Sequence, residues 1–195
     1  MQKQKSSAIV YNLVGALIHP YTIPPEFEKE FSRLRQKGKA GYREYDSRLI
    51  DLLLRGSVGI KPIDGAVEFL QRMHDNGLVN VVYSHSSEEH LRLTFETLGW
   101  NKLINAKYGT LDRPEIFDKE DPKSYGNLVR LMKKDGWNPD IYVTNKDREA
   151  IAASRTLCVF LITGGDAERR IHYFWSIGDI GKIGNLNKLN SLNRF

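Results

Sequence analysis

The sequence predicts an α/β fold: a parallel sheet with helices on both faces, in a Rossmann-like three-layer arrangement, with a small helical cap inserted. Short apolar runs that are typical of buried strands alternate with segments whose apolar residues recur at helical spacing. Such alternation favours right-handed crossovers between parallel strands, and ligands of these sheets bind beyond the carboxyl ends of the strands. Residues 21–58 interrupt the alternation with two consecutive helices, which predicts the cap.

The expected strands are short, buried and rich in β-branched residues. The first begins at Ala8 and ends in a tight turn at Gly15, because its residues are apolar and glycine tolerates a sharp turn. The others are predicted at 78–83, 106–108, 140–143 and 159–162. Because parallel strands share an edge, we expect the turns that follow Tyr11, Tyr83 and Val143 to lie together.

The first predicted helix starts at Pro25, because Phe27, Phe31 and Leu34 recur at helical spacing and proline suits a first helical turn. A second helix is expected over 43–55. Further helices are predicted after Gly65, after the serines at 84–87, after Asp121 and over 147–155. We therefore expect a core domain formed by residues 1–20 and 59–195, with residues 21–58 as the cap.

Composition narrows the class of protein. Hydrophobic residues make up 41% of the 195 residues, and no apolar run reaches the roughly 18–20 residues of a membrane span. We therefore expect a cytoplasmic protein without membrane contact. Cys158 is the only cysteine, which excludes an intrachain disulfide and a cysteine metal site. The net charge of +5 would favour acidic partners, but the basic residues are spread among acidic ones, which favours a solvated surface.

Several motifs arrive in the same order as in a known superfamily. They are Tyr11-Asn12-Leu13-Val14-Gly15-Ala16-Leu17, Ser84 at the end of the second strand, Lys123 at a helix start, and the run from Tyr142 to Glu149 before an alanine-rich helix. With the helical insertion between them, these motifs resemble the haloacid-dehalogenase superfamily of phosphatases along residues 8–165. The resemblance implies the core and cap described above, with a site at the carboxyl edge of the sheet.

The chemistry of that family depends on carboxylates that this chain lacks at the matching positions. Family members have Asp-x-Asp-Gly-Thr-Leu after the first strand, where the first aspartate is the nucleophile and the second protonates the leaving group. Asn12 and Val14 occupy these positions, and Asn145 stands where a metal-binding aspartate belongs. Glu149 is the one carboxylate that matches a Mg²⁺ ligand of the family. No aspartate precedes Asp46, so no shift of the alignment restores the nucleophile.

We therefore predict no catalytic residue, no resident cofactor and no metal site beyond Glu149 at most. The main hypothesis is a noncatalytic binding or scaffold protein that retains a metal-free anion site formed by Gly15, Ser84 and Lys123. Its partner would be a protein or a phosphorylated small molecule. In the alternative interpretation, Ser84 is a helix cap and Lys123 a surface lysine.

Two other functions stay open from the sequence. A phosphatase or related hydrolase with a rearranged site could activate water with Glu149 or with an aspartate of the 112–121 loop, in the presence of Mg²⁺. A nucleic-acid-associated protein could use the basic excess and the aromatic run at 172–175, which follows Arg169 and Arg170. A protein partner could equally dock on the same aromatic run, and packing of the last element on the sheet is the commonest explanation for such a run.

Overall fold

A computed structural model describes the fold of residues 6–163 and 170–174. Six strands lie within these ranges: β1 (Ser6–Tyr11), β2 (Val79–Ser84), β3 (Ala106–Gly109), β4 (Trp137–Thr144), β5 (Cys158–Thr163) and β6 (Arg170–Phe174). They form one sheet in the order β3-β2-β1-β4-β5-β6. The first five strands pair in parallel, and β6 pairs antiparallel with β5.

The described helices alternate with the strands as predicted. They are α1 (Glu28–Gln36), α2 (Tyr42–Leu54), α3 (Ala66–Asp75), α4 (Glu88–Thr97), α5 (Pro122–Lys134) and α6 (Asp147–Ala153), with short 3₁₀ turns at Pro25–Phe27, Gly38–Gly41 and Pro114–Ile116. The predicted α/β class with a parallel sheet is confirmed. Among the described helices, none combines the length and the apolar character that crossing a bilayer requires.

Local sequence explains where α4 and α5 begin. The Ser87 hydroxyl accepts a hydrogen bond from the backbone N–H of His90 at 3.1 Å, which caps α4 as the serine-rich segment predicts. The Asp121 carboxylate accepts one from the N–H of Lys123 at 2.9 Å, and Pro122 takes the first position of α5, where no amide hydrogen is needed.

The strand β6 was not predicted from the sequence. It extends the sheet beside β5, so the run His172-Tyr173-Phe174 lies in an edge strand of the described sheet. Arg169, Trp175 and the asparagine-rich C-terminal segment lie outside the described residues. The nucleic-acid and docking interpretations of this region therefore stay predictions.

Alternating side chains of the central strand build the two core layers. Ala8 and Val10 belong to an apolar cluster with residues of α5 and α6, whereas Ile9 and Tyr11 belong to a cluster with residues of α3 and α4. Successive residues of a strand point to opposite faces, so a strand that is apolar throughout must be covered on both sides. The three layers follow from this pattern.

The helical pair α1–α2 has an apolar cluster of its own. The cluster consists of Ile23, Phe31, Leu49, Leu52, Leu53 and Leu93. Because Leu93 lies on α4, the pair packs on the core through this helix. The division into a core of 1–20 and 59–195 and a cap of 21–58 stays a prediction.

We expect Leu49→Ala to lower the free energy of unfolding by about 2–5 kcal/mol, because it leaves a cavity at a fully buried position of α2. Leu54→Ala is the matched control in the same helix, since 65% of the Leu54 side chain is exposed, and it should change stability by less than about 0.5 kcal/mol. Urea unfolding measures both. Equal effects would contradict the packing of the helical pair.

Candidate functional site

The turns after three neighbouring strands meet at the carboxyl edge of the sheet. β1 lies between β2 and β4, and Tyr11 pairs with Val82 on one side and Val143 on the other. Asn12 follows β1 directly, and Asn145 follows β4. The parallel arrangement therefore brings the predicted site turns together.

Asn12 is buried, with 7% of its surface exposed, and both ends of its side-chain amide are hydrogen-bonded. Its Nδ2 donates to the backbone oxygen of Val14 at 3.0 Å and to Oδ1 of Asn145 at 3.4 Å. Its Oδ1 accepts a hydrogen bond from Nζ of Lys119 at 2.8 Å. The amide is therefore held in a fixed orientation at the end of β1.

Lys119 is the charged centre of this cluster, and it is completely buried. Besides Asn12, its ammonium contacts the backbone oxygen of Tyr83 at 3.3 Å and Oε2 of Glu149 at 3.0 Å. It also lies over the rings of Tyr83 and Tyr142, 4.9 and 5.7 Å from their centroids. An ammonium group has three hydrogens, so these three acceptors match all its donors. Burial lowers the pKa of Lys119, although Glu149 partly offsets this effect.

Glu149, in the first turn of α6, accepts three hydrogen bonds at one oxygen. Besides Lys119, the donors to Oε2 are the Tyr142 hydroxyl at 2.6 Å and the Thr144 hydroxyl at 3.1 Å. Burial would raise the pKa of Glu149, but Lys119 and Tyr142 outweigh it, so the pKa is lowered. The carboxylate that could have faced a cation therefore pairs with a lysine of the same chain.

Gly15 and Ser84, two of the three predicted anion-binding residues, already have partners in the protein. The N–H of Gly15 donates to the backbone oxygen of Ile18 at 2.7 Å. The buried Ser84 hydroxyl lies 3.2 Å from the hydroxyl of Ser86. An anion at this place would have to compete with both contacts.

Lys119 contacts Asn12, whereas Lys123, the lysine expected from the sequence to bind an anion, lies apart from this cluster of contacts. Lys123 is exposed in the first turn of α5. The lysine that contacts Asn12 lies four residues earlier, in the charged run Asp118-Lys119-Glu120-Asp121. A run of four charged residues is typical of a solvated loop, so only its position before the Pro122 helix start could have drawn attention to it.

The helical pair lies over the loop that carries Lys119. Just before α2, Nζ of Lys39 forms an ion pair with Asp118 at 2.6 Å. One turn along, the guanidinium of Arg43 donates to the backbone oxygen of Leu111 at 2.7 Å. These contacts hold α2 against the 110–118 loop, which directly precedes Lys119.

A buried hydrogen-bonded chain also connects α2 to α4. The Asp46 carboxylate lies 2.6 Å from Nδ1 of His90 and accepts the N–H of Ser87 at 3.2 Å. On the other side of the ring, Nε2 of His90 lies 2.8 Å from the Tyr21 hydroxyl, which is 2.9 Å from the hydroxyl of Thr94. Each polar group in this chain has a hydrogen-bonding partner, as buried polar groups generally do.

His85 lies against α2, in contact with two aromatic rings that also contact each other. The rings of Tyr42 and Phe117 are 5.4 and 6.0 Å from its centroid, and its Nδ1 is 3.2 Å from the Thr110 hydroxyl. Burial, with a smaller contribution from the charge of Lys119, lowers the pKa of His85 to about 4. The ring is therefore neutral at pH 7.

The described residues offer little to a metal ion. In the part of the chain that the structure describes, no group of three histidine, cysteine, aspartate or glutamate side chains is arranged to hold one. Asn12 and Asn145 contact each other and Glu149 contacts Lys119. A hard cation such as Mg²⁺ prefers several carboxylate oxygens, so these donors do not fit it.

Comparisons with known proteins agree with this architecture. No family model matches the sequence, and the search of curated proteins finds no match either. A HAD-superfamily hydrolase from Ehrlichia chaffeensis is 12% identical, with a TM-score of 0.57 over 97% of this chain and 96% of that chain. The chain has the haloacid-dehalogenase-like fold.

Two further solved structures share the haloacid-dehalogenase-like fold. An L-2-haloacid dehalogenase is 16% identical, with a TM-score of 0.57 over 82% of this chain and 87% of that chain. CbbY from Rhodobacter sphaeroides, in complex with phosphate, is 13% identical, with a TM-score of 0.55 over 82% and 87% of the two chains. At such identities the likeness concerns the fold alone.

We expect Gly15→Ala to destabilise the protein by about 1–3 kcal/mol, because Gly15 has φ of +90° and a Cβ there would overlap the Asn145 side chain. Gly126→Ala in α5 is the control: its Cβ would enter open space, and alanine favours a helix. Thermal or urea unfolding compares the two. A stable Gly15→Ala protein would contradict the close contact of the two turns.

We expect His85→Gln to reduce the loss of stability in mild acid. The folded-state pKa of His85 is about 4, and its unfolded-state pKa is about 6.5. The stability that the neutral ring contributes is therefore fully present above the unfolded-state pKa. It is lost as pH falls towards the folded value, by up to about 2–3 kcal/mol. Urea unfolding of both proteins at pH 7 and pH 4.5 measures the difference. If the free energy of unfolding changes equally with pH in both proteins, protonation of His85 does not destabilise the fold and the expectation is wrong.

Proposed function

We propose that this protein is a noncatalytic member of the haloacid-dehalogenase-like fold, acting as a binding or scaffold protein. The observation that carries the proposal is the state of Lys119, whose ammonium is completely buried and makes contacts to three acceptors of the same chain. A group that binds a phosphoryl or carboxylate substrate must keep donors available to it. Here the donors stabilise the protein instead.

The residues at the end of β1 support loss of the covalent mechanism. An amide at Asn12 is a poor nucleophile, and Val14 has no proton to donate to a leaving group. In an analogous covalent mechanism, loss of the nucleophile alone costs on the order of 10⁶ in rate. The similar dehalogenase and hydrolase structures concern the fold alone, and we infer no activity of this chain from them.

The carboxylates available to a rearranged hydrolase are also engaged. Asp112 accepts the backbone N–H of Glu88 at 2.6 Å, Asp118 pairs with Lys39, and Asp121 caps α5. Glu149 is held by its three donors. A general base must reach a water molecule near the substrate, and these contacts direct the carboxylates elsewhere.

Binding of a phosphorylated ligand is the second candidate, favoured by the buried cation and by the phosphate complex of the structurally similar CbbY. The ligand would have to displace the partners of Gly15 and Ser84 and separate Lys119 from Glu149. Removing one member of a buried ion pair typically costs about 3–5 kcal/mol. We therefore favour a protein partner that binds outside the closed site, and nucleic acid stays a weaker alternative.

We expect the purified protein to show no hydrolysis of p-nitrophenyl phosphate and no dehalogenation of 2-chloropropionate, with or without Mg²⁺, because no nucleophile or acid stands at the end of β1. Turnover above the buffer rate would contradict the proposal. Glu149→Ala and the exposed control Glu120→Ala would then identify the base, since a Glu149-dependent hydrolase loses activity only in the first variant.

A thermal-shift titration separates binding of a phosphorylated ligand from binding of a macromolecule. A ligand that binds only the folded state raises the melting temperature. We expect no shift with inorganic phosphate or Mg²⁺. A shift with phosphate would establish the anion site, and strongly salt-dependent binding of RNA or DNA would establish the nucleic-acid alternative.

A further inference from the structure

An amine and an amide carbonyl are held against each other inside the protein. Nζ of Lys119 lies 2.8 Å from Oδ1 of Asn12, and this oxygen is bonded to Cγ, the only electrophilic carbon of the side chain. Groups that a fold holds side by side can react as if at very high concentration, with effective molarities that reach about 10⁵–10⁸ M when the reacting atoms are aligned. An aspartate at position 12 would form only an ion pair with the lysine, whereas the amide of Asn12 carries a leaving group.

The surroundings lower the cost of converting the ammonium into the neutral, nucleophilic amine. Lys119 has no exposed surface, and its ammonium lies over the rings of Tyr83 and Tyr142. Desolvation disfavours the ammonium form, and burial lowers the pKa of Lys119 accordingly. Desolvated lysines are the ones that proteins use as nucleophiles.

Glu149 is positioned to take up a proton from Lys119 and to release it again. Its Oε2 is 3.0 Å from Nζ of Lys119, so it can accept a proton from the ammonium and return it later in the reaction. The hydroxyls of Tyr142 and Thr144 fix this oxygen from the other side. On Asn12, the contacts of Nδ2 to Val14 and Asn145 hold the leaving nitrogen apart from the attacking one.

We propose that Lys119 and Asn12 form an intramolecular isopeptide bond. Glu149 takes a proton from Nζ, the amine attacks Cγ of Asn12, and a tetrahedral intermediate forms. The Cγ–Nδ2 bond then breaks, and the nitrogen leaves as ammonium with the proton from Glu149 and one from Nζ. The products are one new amide between the two side chains, one ammonium ion and the regenerated carboxylate, with no change of oxidation state.

Such a bond would have two consequences. It would connect the end of β1 to a loop 107 residues further along the chain, which restricts the unfolded chain as other covalent cross-links do. It would also convert the Lys119 ammonium, which pairs with Glu149 before the reaction, into an uncharged amide that is equally unavailable to a ligand. The inference goes beyond the proposed function, because one self-modification per chain is not turnover, and mass and turnover are measured separately.

The test is the intact mass of the purified full-length protein, measured under denaturing conditions. We expect it to lie about 17 Da below the mass of the sequence, the mass of one ammonia. Proteolysis should give a branched peptide that joins the segments of Asn12 and Lys119. A wild-type mass equal to that of the sequence overturns the proposal, whatever the variants do.

Matched variants locate the reaction. Lys119→Met and Glu149→Gln should carry their full calculated masses, whereas the exposed control Lys123→Met should keep the loss. The same loss in Lys119→Met would indicate a succinimide, for which Asn76-Gly77 is the favoured sequence, and would overturn the proposal. A gain of about 1 Da that maps to Asn12, from hydrolysis of its amide, would overturn it as well. Wild-type chain kept unfolded in urea should retain the full mass, because only the fold brings the groups together.

Discussion

The buried pair of Lys119 and Glu149 is the constraint on which the rest of the site depends. Two charges that are removed from water are tolerated only when each finds close partners, and separation of such a pair costs several kcal/mol. The tyrosine rings, the Asn12 amide and the hydroxyls at the end of β4 supply these partners. The carboxyl edge of the sheet, where related folds bind ligands, is occupied here by the protein's own polar groups.

The polar groups of the site bond to one another within the protein, and the helical pair α1–α2 lies against the elements next to them. α2 contacts the 110–118 loop through Lys39 and Arg43, and it contacts α4 through Asp46. The loop and α4 both adjoin the strand ends, so the helices cover a site whose groups already have partners. One fold can support many functions, because a function depends on the side chains at the site rather than on the sheet. The haloacid-dehalogenase-like fold of this chain is therefore compatible with a function in binding.

Most of the fold could be predicted from the sequence, because buried strands and amphipathic helices leave periodic apolar patterns. The cap residues Ser87 and Asp121 also act locally, so their roles are visible in the sequence. The pairing of β6 beside β5 was missed, because an edge strand depends on the surface it meets. Lys119 was not singled out from the sequence, because a buried ammonium among charged neighbours has no local signature.

The sequence by itself determined the parallel α/β sheet, its covering helices and the amide at Asn12 where the resembling family has a nucleophile. The sheet and its helices follow from residue type and periodicity along the chain, and the position of Asn12 follows from the resemblance. Only the tertiary structure decided that Lys119 enters the core, that Glu149 pairs with it, and that both meet Asn12. These residues are far apart in sequence, and their contact depends on the order of the strands and on the burial that the folded sheet imposes.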